Sequence, residues 1–217
     1  MLRLFYAVLL LPLAFTPAAA ASDGLFAGGK ISTLGAGGEI GIALTENFSL
    51  LASATTFSCD FNETLDGIDS DLELDLGALG VQLDLHPFAN GFFLSGGAFN
   101  NLNEVTTRAM PAAPIEIGNT IYQPAEIGEI EGVGTFDDTV GYLGIGHVWG
   151  VHNRWQFVAE AGAYFQGAPT IVYTATGLLA QDPAFLADLE AEASAAQADL
   201  EDLDTYPVLS LALRRRF

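Results

Sequence analysis

Carboxylates dominate the chemistry open to this chain. Of its 27 Asp and Glu residues, seven lie in 60–75, seven in 104–138 and eight in 182–204, with Arg108 the one base among them. Acids at that density can form a solvated, self-repelling surface. They can also hold hard divalent cations through oxygen ligands. Asp66, Asp69 and Asp71, in Asp66-Gly67-Ile68-Asp69-Ser70-Asp71, are the best local candidate for calcium or magnesium, although the spacing is not that of an EF-hand. Nucleophilic chemistry has less to build on. His86, His147 and His152 stand apart, no Gly-x-Ser-x-Gly elbow occurs, and no Cys or His cluster has metal-ligand spacing. The sequence therefore predicts no catalytic site and no cofactor. A formal net charge of −20 argues against nucleic acid, whose phosphates demand Lys and Arg. The single Cys59 can form no internal disulfide.

The elements that position these groups are legible as strands. In 153–166, Trp155, Phe157, Ala159, Ala161, Ala163 and Phe165 share one face, aromatic at both ends and small or apolar between. Arg154, Gln156, Val158, Glu160, Gly162, Tyr164 and Gln166 share the other. An apolar face with aromatic ends reads as lipid-facing, and its mixed partner as lumen-facing. The final residues repeat the pattern, with Leu209, Leu211, Leu213 and Phe217 on one face and Ser210, Ala212, Arg214 and Arg216 on the other. Leu79–Leu85 alternates in the same way. Leu72, Leu74, Leu76 and Ala78 have the opposite phase, which predicts a bulge near Gly77–Gly80 or a strand that leaves the membrane.

Clear strands read as 36–44, 48–60, 72–86, 91–103, 139–149, 154–166 and 206–217. Parity requires one more, which Leu25–Thr33 supplies with a turn near Gly35–Gly38. The fold class is thus all-β, an eight-stranded antiparallel transmembrane barrel. Turns at Thr45–Asn47, Pro87–Gly91 and Gly150–Asn153 are short, while the connections 61–71, 104–138 and 167–205 are long. Barrels of this class put short turns in the periplasm and long loops outside. The last connection contains an acidic loop helix, about 183–203, with Asp182 as N-cap, Pro183 at N1 and a stripe of Phe185, Leu189, Ala193, Ala196, Leu200 and Leu203. Face assignment sends Lys30, Glu39, Asp84, Glu160 and Arg214 into a lumen barely wide enough for side chains. There they either pair as a plug or line a narrow polar passage.

Residues 1–21 have the basic start, apolar run and Ala-rich cleavage site of a secretory signal peptide, leaving 22–217 as the barrel domain. With this leader, the alternating strands, the order of short turns and long loops, and the ending Leu209-x-Leu211-x-Leu213-x-x-x-Phe217, the chain resembles small Gram-negative outer-membrane barrels of the OmpA-type and OmpW-like group. That resemblance implies a non-catalytic protein of the cell outer membrane, structural or a restrictive path for small solutes. An OmpW-like binder or transporter of small apolar compounds is the alternative. It also implies that Leu209, Leu211, Leu213 and Phe217 are an assembly signal for the barrel-assembly machinery. The acidic loops would be extracellular and meet lipopolysaccharide through divalent cations. The sequence does not define an oligomeric state.

Overall fold

The computed structural model describes residues 24–65 and 68–217; the expected signal peptide, and Asp66, lie outside the described residues. Thirteen strands follow in order: β1 (Leu25–Ser32), β2 (Gly35–Ala43), β3 (Phe48–Leu65), β4 (Ile68–Leu85), β5 (Phe92–Asn101), β6 (Glu104–Met110), β7 (Ile115–Ile117), β8 (Thr120–Tyr122), β9 (Ile130–Thr135), β10 (Thr139–Trp149), β11 (Trp155–Phe165), β12 (Thr170–Ala175) and β13 (Thr205–Arg216). Two helices interrupt them, α1 (Pro124–Ile127) and α2 (Pro183–Asp199). Eight strands close a ring of antiparallel neighbours: β1, β2, β3, β4, β5, β10, β11, β13 and back to β1. This is the expected eight-stranded transmembrane barrel. Its outward face is apolar: Ile31, Ile40, Leu50, Val81, Leu83, Leu94, Leu143, Ile145, Leu209, Leu211 and Leu213 all point away from the interior.

The first two strands meet in a tight turn at Thr33–Leu34, earlier than the glycine run expected to form it. Gly35 carries φ of +103°, which side chains resist, so the turn resolves there and Gly37 and Gly38 stay in β2. Leu34 folds inward and is fully buried.

The long connections are not loops. Strands β3 and β4 each run 18 residues, about 60 Å at the usual rise. That is roughly twice the hydrocarbon thickness of a bilayer. Their far halves project beyond the ring and recruit β6, β9 and β12 into an extension ordered β3-β4-β6-β9-β12. The expected bulge is absent, because β3 and β4 keep one unbroken register from Phe48↔Leu85 to Leu65↔Ile68. The discontinuity lies on the other edge of β4. There β5 gives way to β6 at Leu102–Asn103, and the Asn103 side chain accepts a 3.0 Å bond from the Gly77 N–H that the change of partner frees.

Helix α2 starts as read. Asp182 accepts from the N–H groups of Ala184 (2.9 Å) and Phe185 (3.2 Å), a standard N-cap. It ends earlier than expected, at Asp199, and continues as a 3-10 turn over Glu201–Asp204. Phe185 and Leu189 pack with Ile117, Tyr122 and Ile127 in a second apolar core on the extension. Leu200 and Leu203, past the helix end, stay exposed.

Candidate functional site

The ring's interior is stratified. Nearest the extension sits an aromatic plug. Phe99, Tyr142 and Tyr164 meet with ring centroids 5.0–5.6 Å apart and are closed in by Leu34, Ala78, Val140 and Val208. Glycines make room for it. A methyl group added at Gly162 would lie 2.4 Å from the Tyr142 hydroxyl, and one at Gly144 would lie 2.5 Å from it.

Below the plug lies the charged layer. Lys30 Nζ stands 3.6 Å from Glu160 Oε2. Arg214 Nη1 stands 3.7 Å from Glu39 Oε1. The second contact follows from strand register. Glu39, Gly28, Arg214 and Gln156 occupy one row across β2, β1, β13 and β11. Gly28 presents no side chain between the two charges, and a methyl there would press within 2.6 Å of the Arg214 Cα. Arg214 also donates through Nε to Gln156 Oε1 at 3.0 Å and stacks over Phe26 at 4.2 Å. Asp84, the most buried of the acids, has no base within 4 Å among the described residues; the Gln82 amide donates to it at 2.9 Å. The same amide donates to Glu160 at 3.1 Å, so one planar group holds two carboxylates. Ser95 gives Glu160 a further bond of 2.6 Å.

The five charges expected in the lumen are therefore brought into one layer, with three acids to two bases. Gln82, Gln156 and the aromatic plug were not singled out from sequence. Tyr142 and Tyr164 each share a strand face with a glycine two residues away, and that pairing was the available signal. Between Lys30, Gln82, Phe99, Tyr142 and Tyr164 lies a gap of about 10 Å³, close to the least space a single water occupies. At the short-turn end the interior opens into a vestibule of about 400 Å³ floored by Arg214.

The remaining candidates lie elsewhere. Asp69 and Asp71 are in the β4 ladder, opposite Met110 and Arg108, and not in a loop. Among the described residues no group of three or more His, Cys, Asp or Glu side chains is placed to hold a metal ion. Arg108 bonds instead to Glu131 (2.8 Å) and Glu73 (3.3 Å) on the extension's polar face. Leu209, Leu211 and Leu213 point outward, and Phe217 is half-exposed with the Arg215 guanidinium 5.4 Å from its ring. His86 packs against Phe93, and His147 against Trp149.

No protein-family model matches the chain, and no curated protein matches it. Among the similar solved structures are two from Acinetobacter baumannii. Acinetobacter baumannii CarO superposes with a TM-score of 0.56 at 19% identity, covering 89% of this chain and 98% of that one. Acinetobacter baumannii CarO2 superposes with a TM-score of 0.57 at 17% identity, covering 91% and 100%. At these identities the likeness speaks to architecture, and the chain shares with both an eight-stranded transmembrane-barrel fold.

Proposed function

We propose that this chain is a non-catalytic integral protein of a Gram-negative outer membrane whose lumen is a restrictive path for very small solutes. The observation that carries this reading is the closed interior, a gap of about 10 Å³ walled by the aromatic plug above a fully side-chain-filled charged layer. Eight strands suffice to fill such a lumen with side chains. The outward apolar band supports residence in a membrane, and a closed barrel that satisfies its backbone internally can span one. In this reading the short turns face the periplasm and the extension is extracellular. Its polar face, with Asp71, Glu73, Asp75, Glu104 and Glu131, would meet lipopolysaccharide through divalent cations. Leu209, Leu211, Leu213 and Phe217 would be read by the assembly machinery. Liposome swelling tests the central claim. The refolded protein should admit urea or glycerol slowly and exclude sucrose. Sucrose entry at the rate of a general porin would refute it.

A second reading, the OmpW-like binder of small apolar compounds, is favoured by one observation. A pocket of about 240 Å³ lies between the extension and the end of α2, walled by Val105, Gly134, Phe136, Ile171, Ala196 and Leu200. Lateral release into the bilayer gains no support from the spanning wall. There β1 and β13 pair without interruption from Phe26↔Arg216 to Ser32↔Ser210. On β13 only Thr205–Val208 rise past the β1–β2 turn, and Thr33 in that turn still donates to the carbonyls of Pro207 and Leu209.

A further inference from the structure

We propose that the vestibule at the short-turn mouth is a binding site for a small soluble polyanion, a molecule carrying two or more carboxylate or phosphate groups. The cavity measures about 400 Å³, and its walls include Phe26, His86, His152, Gln156, Arg214 and Arg216. Its volume is at the small end of the range for ligand sites. The side chains that line it carry a net charge opposite to that of the molecule. The chain has seven Lys and Arg residues against 27 acids, yet two of the seven line this one cavity, and among the described residues Glu46 is the only acid that does. A concave, low-dielectric mouth focuses the field of such charges.

The geometry adds to the charge. Arg214 and Arg216 are two residues apart on β13, on its inward face, while Arg215 between them points out beside Phe217. Their Cα atoms are therefore about 7 Å apart. Two guanidinium forks at that spacing suit two anionic groups on one solute, each able to take paired N–H···O bonds. Arg214 is held in place before any ligand arrives. Its Nε is fixed by Gln156, its plane lies on Phe26, and its side chain is 5% exposed. Its contact to Glu39, at 3.7 Å, is longer than a hydrogen bond and leaves donors for a ligand. Arg216 spends one N–H on the Val151 carbonyl at 3.4 Å. His86 turns its Nδ1 to the Asn90 carbonyl at 3.2 Å. The cationic character rests on the arginines.

Isothermal titration of the refolded protein in an uncharged maltoside micelle tests this, with citrate as probe and putrescine as the cationic control. Citrate should bind saturably at one site, and putrescine should not. Arg216→Gln should weaken citrate about tenfold, Arg215→Gln should leave it unchanged, and Glu46→Gln should tighten it severalfold. Heat-modifiable migration on gels verifies that each variant is folded. Three outcomes would overturn the proposal: no saturable citrate binding, equal losses from Arg215→Gln and Arg216→Gln, or tighter binding of putrescine. Titration in nanodiscs separates a solute from a headgroup. If phosphatidylglycerol, but not phosphatidylcholine, abolishes citrate binding, the ligand is a lipid headgroup and the assignment to a soluble anion fails.

Discussion

The two ion pairs of the lumen should differ in strength although their geometry is nearly the same. At 3.6 Å and 3.7 Å, Coulomb attraction at an effective dielectric of about 20 is roughly 4.5 kcal/mol for either pair. What separates them is what each acid keeps when its base is lost. After Lys30→Met, Glu160 retains the Ser95 hydroxyl at 2.6 Å and the Gln82 amide at 3.1 Å. After Arg214→Met, Glu39 Oε1 retains nothing, since it is buried without a hydrogen-bond partner even now. Arg214 also gives up Gln156 and Phe26. Breaking a buried pair typically costs ~3–5 kcal/mol. The two retained bonds, each worth about 1.5–3 kcal/mol to a charged group, should spare Glu160 much of that. We therefore expect about 3–5 kcal/mol for Arg214→Met and about 1–3 kcal/mol for Lys30→Met. Urea unfolding from lipid vesicles, followed by Trp149 and Trp155, measures both. Arg214→Met/Glu39→Met should recover most of the loss, because removing both charges leaves none uncompensated. Equal costs for the two single variants, or no recovery in the double variant, would refute this account of the charged layer.

Other perturbations should report on separate parts of the molecule. Gly162→Ala should cost ~1–3 kcal/mol, since its methyl would meet both the Tyr142 hydroxyl and the Leu143 carbonyl within 2.5 Å; the same unfolding assay reads it. Asp182→Ala should remove about 1 kcal/mol from α2 and hasten protease cleavage within 176–204 severalfold, with the barrel's heat-modifiable shift retained. Arg108→Ala should cost no more than about 1 kcal/mol, and the difference should vanish in high salt, because its pairs with Glu73 and Glu131 are well exposed.

The ring was legible because a lipid-facing strand must alternate, and Trp155–Phe165 or Val208–Leu213 does so without interruption. The extension was not. Strands β6, β9 and β12 are six or seven residues long and rich in Gly, Thr and Glu, and they become strands only because the far half of β4 offers an edge. Their polar face answers to water and their other face to α2, so neither carries the signature of lipid. The charges of the lumen could be placed by parity, but parity cannot show which acid meets which base. That depends on rows across strands, such as Glu39–Gly28–Arg214–Gln156, and a sequence does not display its register. Gln82 escaped notice for a related reason. An amide looks unremarkable until it lies between two buried carboxylates.

The reversed phase of Leu72–Ala78 then has a physical meaning. Strand β4 keeps one register with β3 throughout, so Leu72, Leu74 and Leu76 lie on the same side of the sheet as Gln82 and Asp84. What changes is the solvent. Within the ring, hydrocarbon bathes the outer side and demands Leu79, Val81, Leu83 and Leu85 there, while the crowded lumen accepts polar groups that find partners. Beyond the ring, water bathes the outer side and accepts Asp71, Glu73 and Asp75. Apolar residues must then gather on the inner side, where α2 and its neighbours can cover part of them. Strand β3 changes at the same row. Leu50, Ala52 and Ala54 face out below it, and Phe57, though half-exposed, is on the opposite side of the sheet above it, with Ala54 opposite Leu79 and Phe57 opposite Leu76. Two strands paired in constant register thus exchange polarity together, between Ala54 and Phe57 on one and Leu76 and Leu79 on the other. A local irregularity in either strand would have shifted one without the other. A shared switch is what a planar boundary between lipid and water imposes, and it puts one edge of the membrane at that row.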